Sequence, residues 1–94
     1  MATITQWYFN STTPDANTGT GITTPSTGVG TFSLVGTTST FATGDTNGGS
    51  SDPATGDDSG LNTTSYPNAS TGNKTEGVQF NVSTVGKQNI IVKF

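Results

Sequence analysis

Apolar side chains recur at every second position in several short stretches of this chain, and polar segments separate the stretches. Residues 4–9 put Thr5, Trp7 and Phe9 on one side of an extended backbone and Ile4, Gln6 and Tyr8 on the other. The heavier side, Trp7 with Phe9, is the expected core face. Residues 30–35 set Phe32 and Leu34 together, residues 37–43 turn Phe41 inward, and Gly36 between them permits a tight turn or bulge. A shorter strand is predicted over 61–66, ended by Pro67. Residues 75–82 alternate most cleanly, with Val78, Phe80 and Val82 against Gln79, Asn81 and Ser83. Beyond a turn at Gly86, residues 89–94 gather Ile90, Val92 and Phe94 on one side and Ile91 and Lys93 on the other. A segment this apolar at a chain terminus is expected to pair with something, because exposed apolar edges template association.

Two long loops are predicted. Residues 10–29 are punctuated by Pro14, Pro25 and several glycines, with Ile22 as an anchor and one short strand expected about 21–24. Residues 44–60 hold no apolar side chain larger than Ala54 and carry most of the acidic charge. Two Thr-Thr-Pro triplets, at 12–14 and 23–25, are too short to mark a repeat. The 94 residues therefore read as one domain or part of one.

Composition sharpens this into a fold class. The chain is 28% hydrophobic and 10% charged with a net charge of -3, whereas disordered tails combine low hydrophobicity with high net charge. Thr, Ser, Gly and Asn favour strands and turns over helix interiors. The expected fold is all-β: an antiparallel, jelly-roll-like β-sandwich, of which this chain is either a fragment or an incomplete copy completed by a neighbouring chain. A β-solenoid is the fallback architecture. The core must be thin, and with no cysteine and no histidine neither disulfides nor Cys-based zinc can reinforce it. That leaves β-packing, calcium or another chain.

The Thr, Ser, Asn and Gly content suggests a secreted or cell-surface setting. No run of about 18 apolar residues is present to span a membrane as a helix. Residues 1–7 lack the basic and apolar regions of a leader peptide, so the leader is expected to be absent from this chain. With Lys74, Lys87 and Lys93 as its cations, the chain is not expected to bind nucleic acid or to insert into a membrane.

Three stretches, QWYFN, SGLNTTSYPNASTGNKTEGVQFNVSTVG and QNIIVKF, together resemble a β-sandwich module. That module lies near the N-terminus of secreted bacterial nucleases, phosphatases and surface-sorted proteins. The resemblance implies a jelly-roll or lectin-like sandwich without catalytic residues, in which Trp7, Phe9, Val78, Phe80 and Val82 pack inward. It covers about the first half of such a domain. Two positions depart from the pattern: Lys87 stands where an aromatic often follows Thr-Val-Gly, and Lys93 where a small residue is usual.

Candidate chemistry is sparse. Asp45, Asn47, Asp52, Asp57 and Asp58 offer the hard oxygens calcium prefers. Asp45-Thr46-Asn47 opens like an EF-hand loop, but Gly49 and Ser50 then occupy a ligand position and the required glycine position, and no Glu follows. A solvated turn is the preferred reading. Without His or Cys, and with five of the six acids in loops and Glu76 opening a strand, no catalytic site is expected. Tyr8 and Tyr66 are the candidate glycan contacts, since aromatic faces stack on sugars. Sequons at Asn10, Asn62, Asn68, Asn73 and Asn81 are expected by chance in such a composition. Lys87, Lys93 and Glu76 could in principle form an isopeptide link, but lysines guarding an edge strand are the simpler reading.

The function expected from sequence is a non-catalytic extracellular structural module. It assembles with copies of itself into a fibre or surface layer through edge strands bearing Ile4, Trp7, Phe9, Ile90, Ile91, Val92 and Phe94. The alternative is an accessory carbohydrate-binding or adhesion module of a larger secreted bacterial enzyme, contacting polysaccharide through Tyr8, Tyr66 and the acidic loop.

Overall fold

Alternation becomes strand wherever a second alternating segment is available to pair with it. The computed structural model describes residues 2–44 and 59–94. Its strands are β1 (Thr31–Val35), β2 (Thr38–Thr43), β3 (Ser59–Thr64) and β4 (Gly77–Asn81), and the described residues contain no helix. The protein is all-β. Two antiparallel two-stranded sheets result, β1 with β4 and β2 with β3.

The two ladders are nested. Pairing runs from Thr31 opposite Asn81 to Val35 opposite Gly77, and resumes from Thr38 opposite Thr64 to Thr43 opposite Ser59. One arm passes through β1 and β2 and the other returns through β3 and β4, so the chain forms a long ribbon interrupted once. At the interruption Gly36 and Thr37 on one arm face residues 65–76 on the other. Gly36 is therefore no hairpin turn between β1 and β2, which do not pair. Its φ of +65° lets the chain step from one ladder to the next, and an added Cβ would lie 2.6 Å from Glu76 Oε2 and 2.7 Å from the Thr75 carbonyl oxygen. Thr37 is buried there and donates its hydroxyl to the Thr64 carbonyl, and the Thr38 and Thr64 hydroxyls are 3.0 Å apart. On the far arm Ser65 takes a positive φ and ends β3 before Tyr66.

Register sets the apolar face. Phe32 lies opposite Phe80 and Leu34 opposite Val78, so all four side chains share one side of the outer ladder. Trp7 and Phe9 pack on it: the Trp7 and Phe80 rings are 4.8 Å apart, Phe9 and Phe32 5.8 Å, and Phe32 and Phe80 5.3 Å. Edge-on and tilted ring contacts of this kind stabilise beyond the area they bury. Trp7 also donates its indole N–H to the Thr23 carbonyl at 3.0 Å. The inward roles expected of Trp7, Phe9, Phe32 and Phe80 thus meet in one cluster. It is a thin one, since no apolar side chain among the described residues is fully buried.

The most buried side chain is instead Ser59, at the start of β3. Its N–H donates to Asn10 Oδ1 at 2.9 Å and its hydroxyl to the Thr20 carbonyl at 2.6 Å. These bonds tie the polar loop after the aromatic segment to the inner ladder.

Three expected strands do not form. Residues 4–9 make a single bridge, Gln6 with Thr27, and not a ladder. Phe9 has φ +67°, outside the extended region a ladder requires, and the Tyr8 N–H is taken by Ser26 Oγ at 2.9 Å. Residues 21–24 form no strand either, and the Thr23 carbonyl serves Trp7. Residues 89–94 are not in a ladder: Asn89 turns at φ +56°, and Ile91, Val92 and Phe94 are exposed. The loop expected over 44–60 is also shorter at its end, because Ser59 and Gly60 belong to β3.

Candidate functional site

Several large apolar side chains of the described residues are exposed. Trp7 and Phe9 cover the Phe32 and Phe80 end of the outer ladder, and both partners at the other end stay open, Leu34 and Val78 being 37% and 42% exposed. Even Phe80, ringed by aromatics, keeps 45% of its surface in solvent. Residues 90–94 present a second apolar strip, from Ile90 at 46% to Phe94 fully exposed. A groove of about 510 Å³ runs beside the start of β1 and the end of β4, between Ile4, Val29, Thr31, Asn81 and Ser83.

Of the residues expected to carry assembly, Ile90, Ile91, Val92 and Phe94 are accessible. Trp7 and Phe9 are committed to the aromatic cluster of their own chain, and Ile4 is half-buried beside the groove. The structure thus separates one expected assembly edge from the other.

Tyr8 is not among the residues that line the concavity at Tyr66. Tyr8 is half-buried, whereas Tyr66 is half-exposed with its hydroxyl 2.6 Å from Thr63 Oγ1. Tyr66 lines a shallow concavity of about 310 Å³ with Pro67, Asn68, Lys74 and Glu76. Glu76 Oε2 is buried there without a hydrogen-bond partner among the described residues, close against Gly36. Sequence reasoning placed Glu76 at the start of a strand, but its seat at the ribbon's interruption follows from the pairing register and has no local signal.

The calcium candidates Asp45, Asn47, Asp52, Asp57 and Asp58 lie outside the described residues. No cluster of three metal-ligating acids occurs among those described. Asp15, the acid of the first loop, instead organises a turn. Its Oδ1 accepts the Asn17 N–H at 2.8 Å, and its Oδ2 accepts the Thr20 hydroxyl at 2.8 Å and the Ser11 hydroxyl at 3.4 Å.

These bonds, that from the Asn17 N–H foremost and then that from Thr20, hold the Asp15 carboxyl below its ordinary value of 3.8. A carboxyl lowered in the folded state stabilises the turn fully above its unfolded value and loses that contribution as pH falls through the folded one. The Asn17 and Gly19 amide resonances should therefore hold their positions at neutral pH and move together below the ordinary carboxylate range. Unchanged shifts down to the acid limit would show that the turn does not depend on the Asp15 charge.

Among the described residues no helix is long and apolar enough to cross a membrane. Comparison with protein-family models, curated proteins and solved structures returns no match.

Proposed function

We propose that this chain is a non-catalytic, extracellular structural module of the β-sandwich kind that associates with copies of itself through strand edges. One observation carries the reading: a half-covered apolar ladder and an exposed apolar alternating segment occur in the same chain. Isolated two-stranded sheets are marginal in water, and three or more strands with a shared apolar face are needed for independent stability. Among the described residues neither sheet reaches three strands. Association supplies the missing layer, and a sandwich is the arrangement in which two such faces cover each other.

Light scattering across a dilution series, with negative-stain imaging of the same samples, tests this. Defined oligomers or filaments that dissociate on dilution are the expected result. A particle of one chain's mass at every concentration would overturn it.

The alternative as an accessory carbohydrate-binding module draws support from one feature, the exposed Tyr66 ring beside the concavity that Asn68 and Glu76 also line. On that reading the protein is a monomer, and Tyr66→Ala abolishes retention on a polysaccharide column without altering the mass.

A further inference from the structure

We propose that Asn68 is an acceptor for an N-linked sugar, and that the ring of Tyr66, two residues before it, is the platform on which the first sugar unit lies. The inference rests on the extracellular part of the reading above, since sugars of this kind are attached to exported chains. It goes beyond that reading by assigning a modification site.

Asn-x-Ser/Thr sequons stand at Asn10, Asn62, Asn68, Asn73 and Asn81, and the structure separates one from the rest. A transferase must take hold of both the asparagine amide and the hydroxyl two residues on. Asn10 Oδ1 accepts the Ser59 N–H at 2.9 Å, and Asn81 Oδ1 accepts Gln79 Nε2–H at 3.1 Å. Asn62 lies inside β3, and the hydroxyl of its sequon, on Thr64, is 3.0 Å from that of Thr38. Asn73 is exposed, but the hydroxyl of its sequon, on Thr75, donates to the Gly72 carbonyl at 2.5 Å. At Asn68 both groups are open. Asn68 and Ser70 are exposed, and neither side chain has a hydrogen bond among the described residues.

The surroundings of Asn68 give an attached sugar a place to settle. Tyr66 and Asn68 line one concavity, and Pro67 between them fixes one backbone angle of the link. The Tyr66 ring is 51% exposed, and its hydroxyl is held 2.6 Å from Thr63 Oγ1, so β3 sets its position. The turn that follows is closed by the Asn68 carbonyl, which accepts the Thr71 N–H at 3.0 Å and the Thr71 hydroxyl at 2.7 Å. Behind it Gly72 sits against Pro67, where an added Cβ would lie 3.1 Å from Pro67 Cβ. A pyranose presents C–H groups on its face, and packing them on an aromatic ring removes apolar surface of both from water. Tyr8 also stands two residues before a sequon, at Asn10, but it is half-buried and that amide is already bonded. The co-substrate is a lipid-diphosphate-linked sugar. Asn68 Nδ2 bonds to its anomeric carbon as the bond from that carbon to the diphosphate oxygen breaks. The lipid diphosphate leaves with the electron pair, and the amide proton passes to a base of the transferase.

Transfer onto the folded chain tests this, with a purified oligosaccharyltransferase, a lipid-diphosphate-linked sugar and mass spectrometry of the product. The wild type should gain a single sugar chain, Asn73→Gln should gain it equally, and Asn68→Gln should gain none. Denaturation of the isolated product then reads the platform. The attached sugar should lower the unfolding equilibrium constant about fivefold in the wild type and leave it unchanged in Tyr66→Ala. Nuclear Overhauser contacts between sugar protons and the Tyr66 ring give the same reading without a substitution.

Three results would overturn the proposal. A folded chain left bare by a transferase that modifies the same chain once denatured would remove the site. Because the assay needs neither export nor association, that outcome would leave the extracellular and self-association readings standing. Sugar retained by Asn68→Gln would move the modification to another sequon. Sugar on Asn68 without contacts to the Tyr66 ring, and with the same stabilisation in Tyr66→Ala, would remove the platform.

Discussion

Phe80→Ala is expected to destabilise the fold by about 2–3 kcal/mol and to shift the emission of Trp7 to the red. Truncating a fully buried phenylalanine costs about 3–5 kcal/mol, and the 45% exposure of Phe80 reduces the transfer part of that. Its ring, however, meets those of Trp7, Phe32 and Phe9 at 4.8, 5.3 and 6.5 Å, and each such pair adds about 0.5–1.5 kcal/mol. Small domains stand at the low end of a stability range of about 5–15 kcal/mol, so this single change removes a large fraction of the total. Trp7 is the one tryptophan, which makes its emission a direct reading of whether the N-terminal segment still lies on the outer ladder. A wild-type urea midpoint and unshifted emission would mean that the cluster contributes nothing to stability.

Gly28→Ala should be at least as damaging, by about 2–4 kcal/mol, though it removes no contact. Gly28 has φ +77°, which an L side chain rarely adopts, and an added Cβ would overlap the Ile4 carbonyl oxygen and lie 3.0 Å from Thr5 Cα. Both neighbours are backbone and cannot swing aside. The clash falls where Gln6 receives the N–H groups of Ser26 and Thr27, at 2.7 and 3.2 Å, and donates its own to the Thr27 carbonyl at 2.9 Å. Relieving it must loosen this junction, and each lost bond costs about 0.5–1.5 kcal/mol. Gly77→Ala is the matched control, because nothing lies within 4 Å of its added Cβ, and its effect should stay within about 0.5 kcal/mol. Denaturation midpoints of the two variants, with hydrogen exchange at the Gln6 amide, decide the point. Equal midpoints would show that residues 4–6 are not held by this glycine.

Four strands were legible in the alternation of apolar residues, because each of those segments has a partner within the chain. The same signal misled at residues 4–9 and 89–94. Alternation reports which side chains could share a face, but not whether a strand edge is available, and in both segments one backbone angle, at Phe9 and at Asn89, leaves the extended region. Pairing was less legible than strand position. Gly36 between two apolar runs reads locally as a turn, and only the whole ribbon shows that β1 must wait for β4. The aromatic cluster could be named residue by residue, since large rings in a polar chain have few places to go. Ser59 could not be, because a serine among Asp, Ser and Gly carries no mark of burial, and its role comes from the carbonyls that converge on it.

The nesting of the two ladders also sets an order of events. Forty-one residues, 36–76, separate Val35 from Gly77, so the outer ladder closed first would pin a long loop. Once β2 and β3 have zipped together, only Gly36, Thr37 and residues 65–76 remain free between those ends. The entropic cost of bringing them together falls by roughly 1 kcal/mol, a several-fold gain in closing rate. Loop closure thus predicts that the β2–β3 ladder forms first and that the aromatic ladder, which carries the open apolar face, closes last, an order that hydrogen exchange at the two ladders would check.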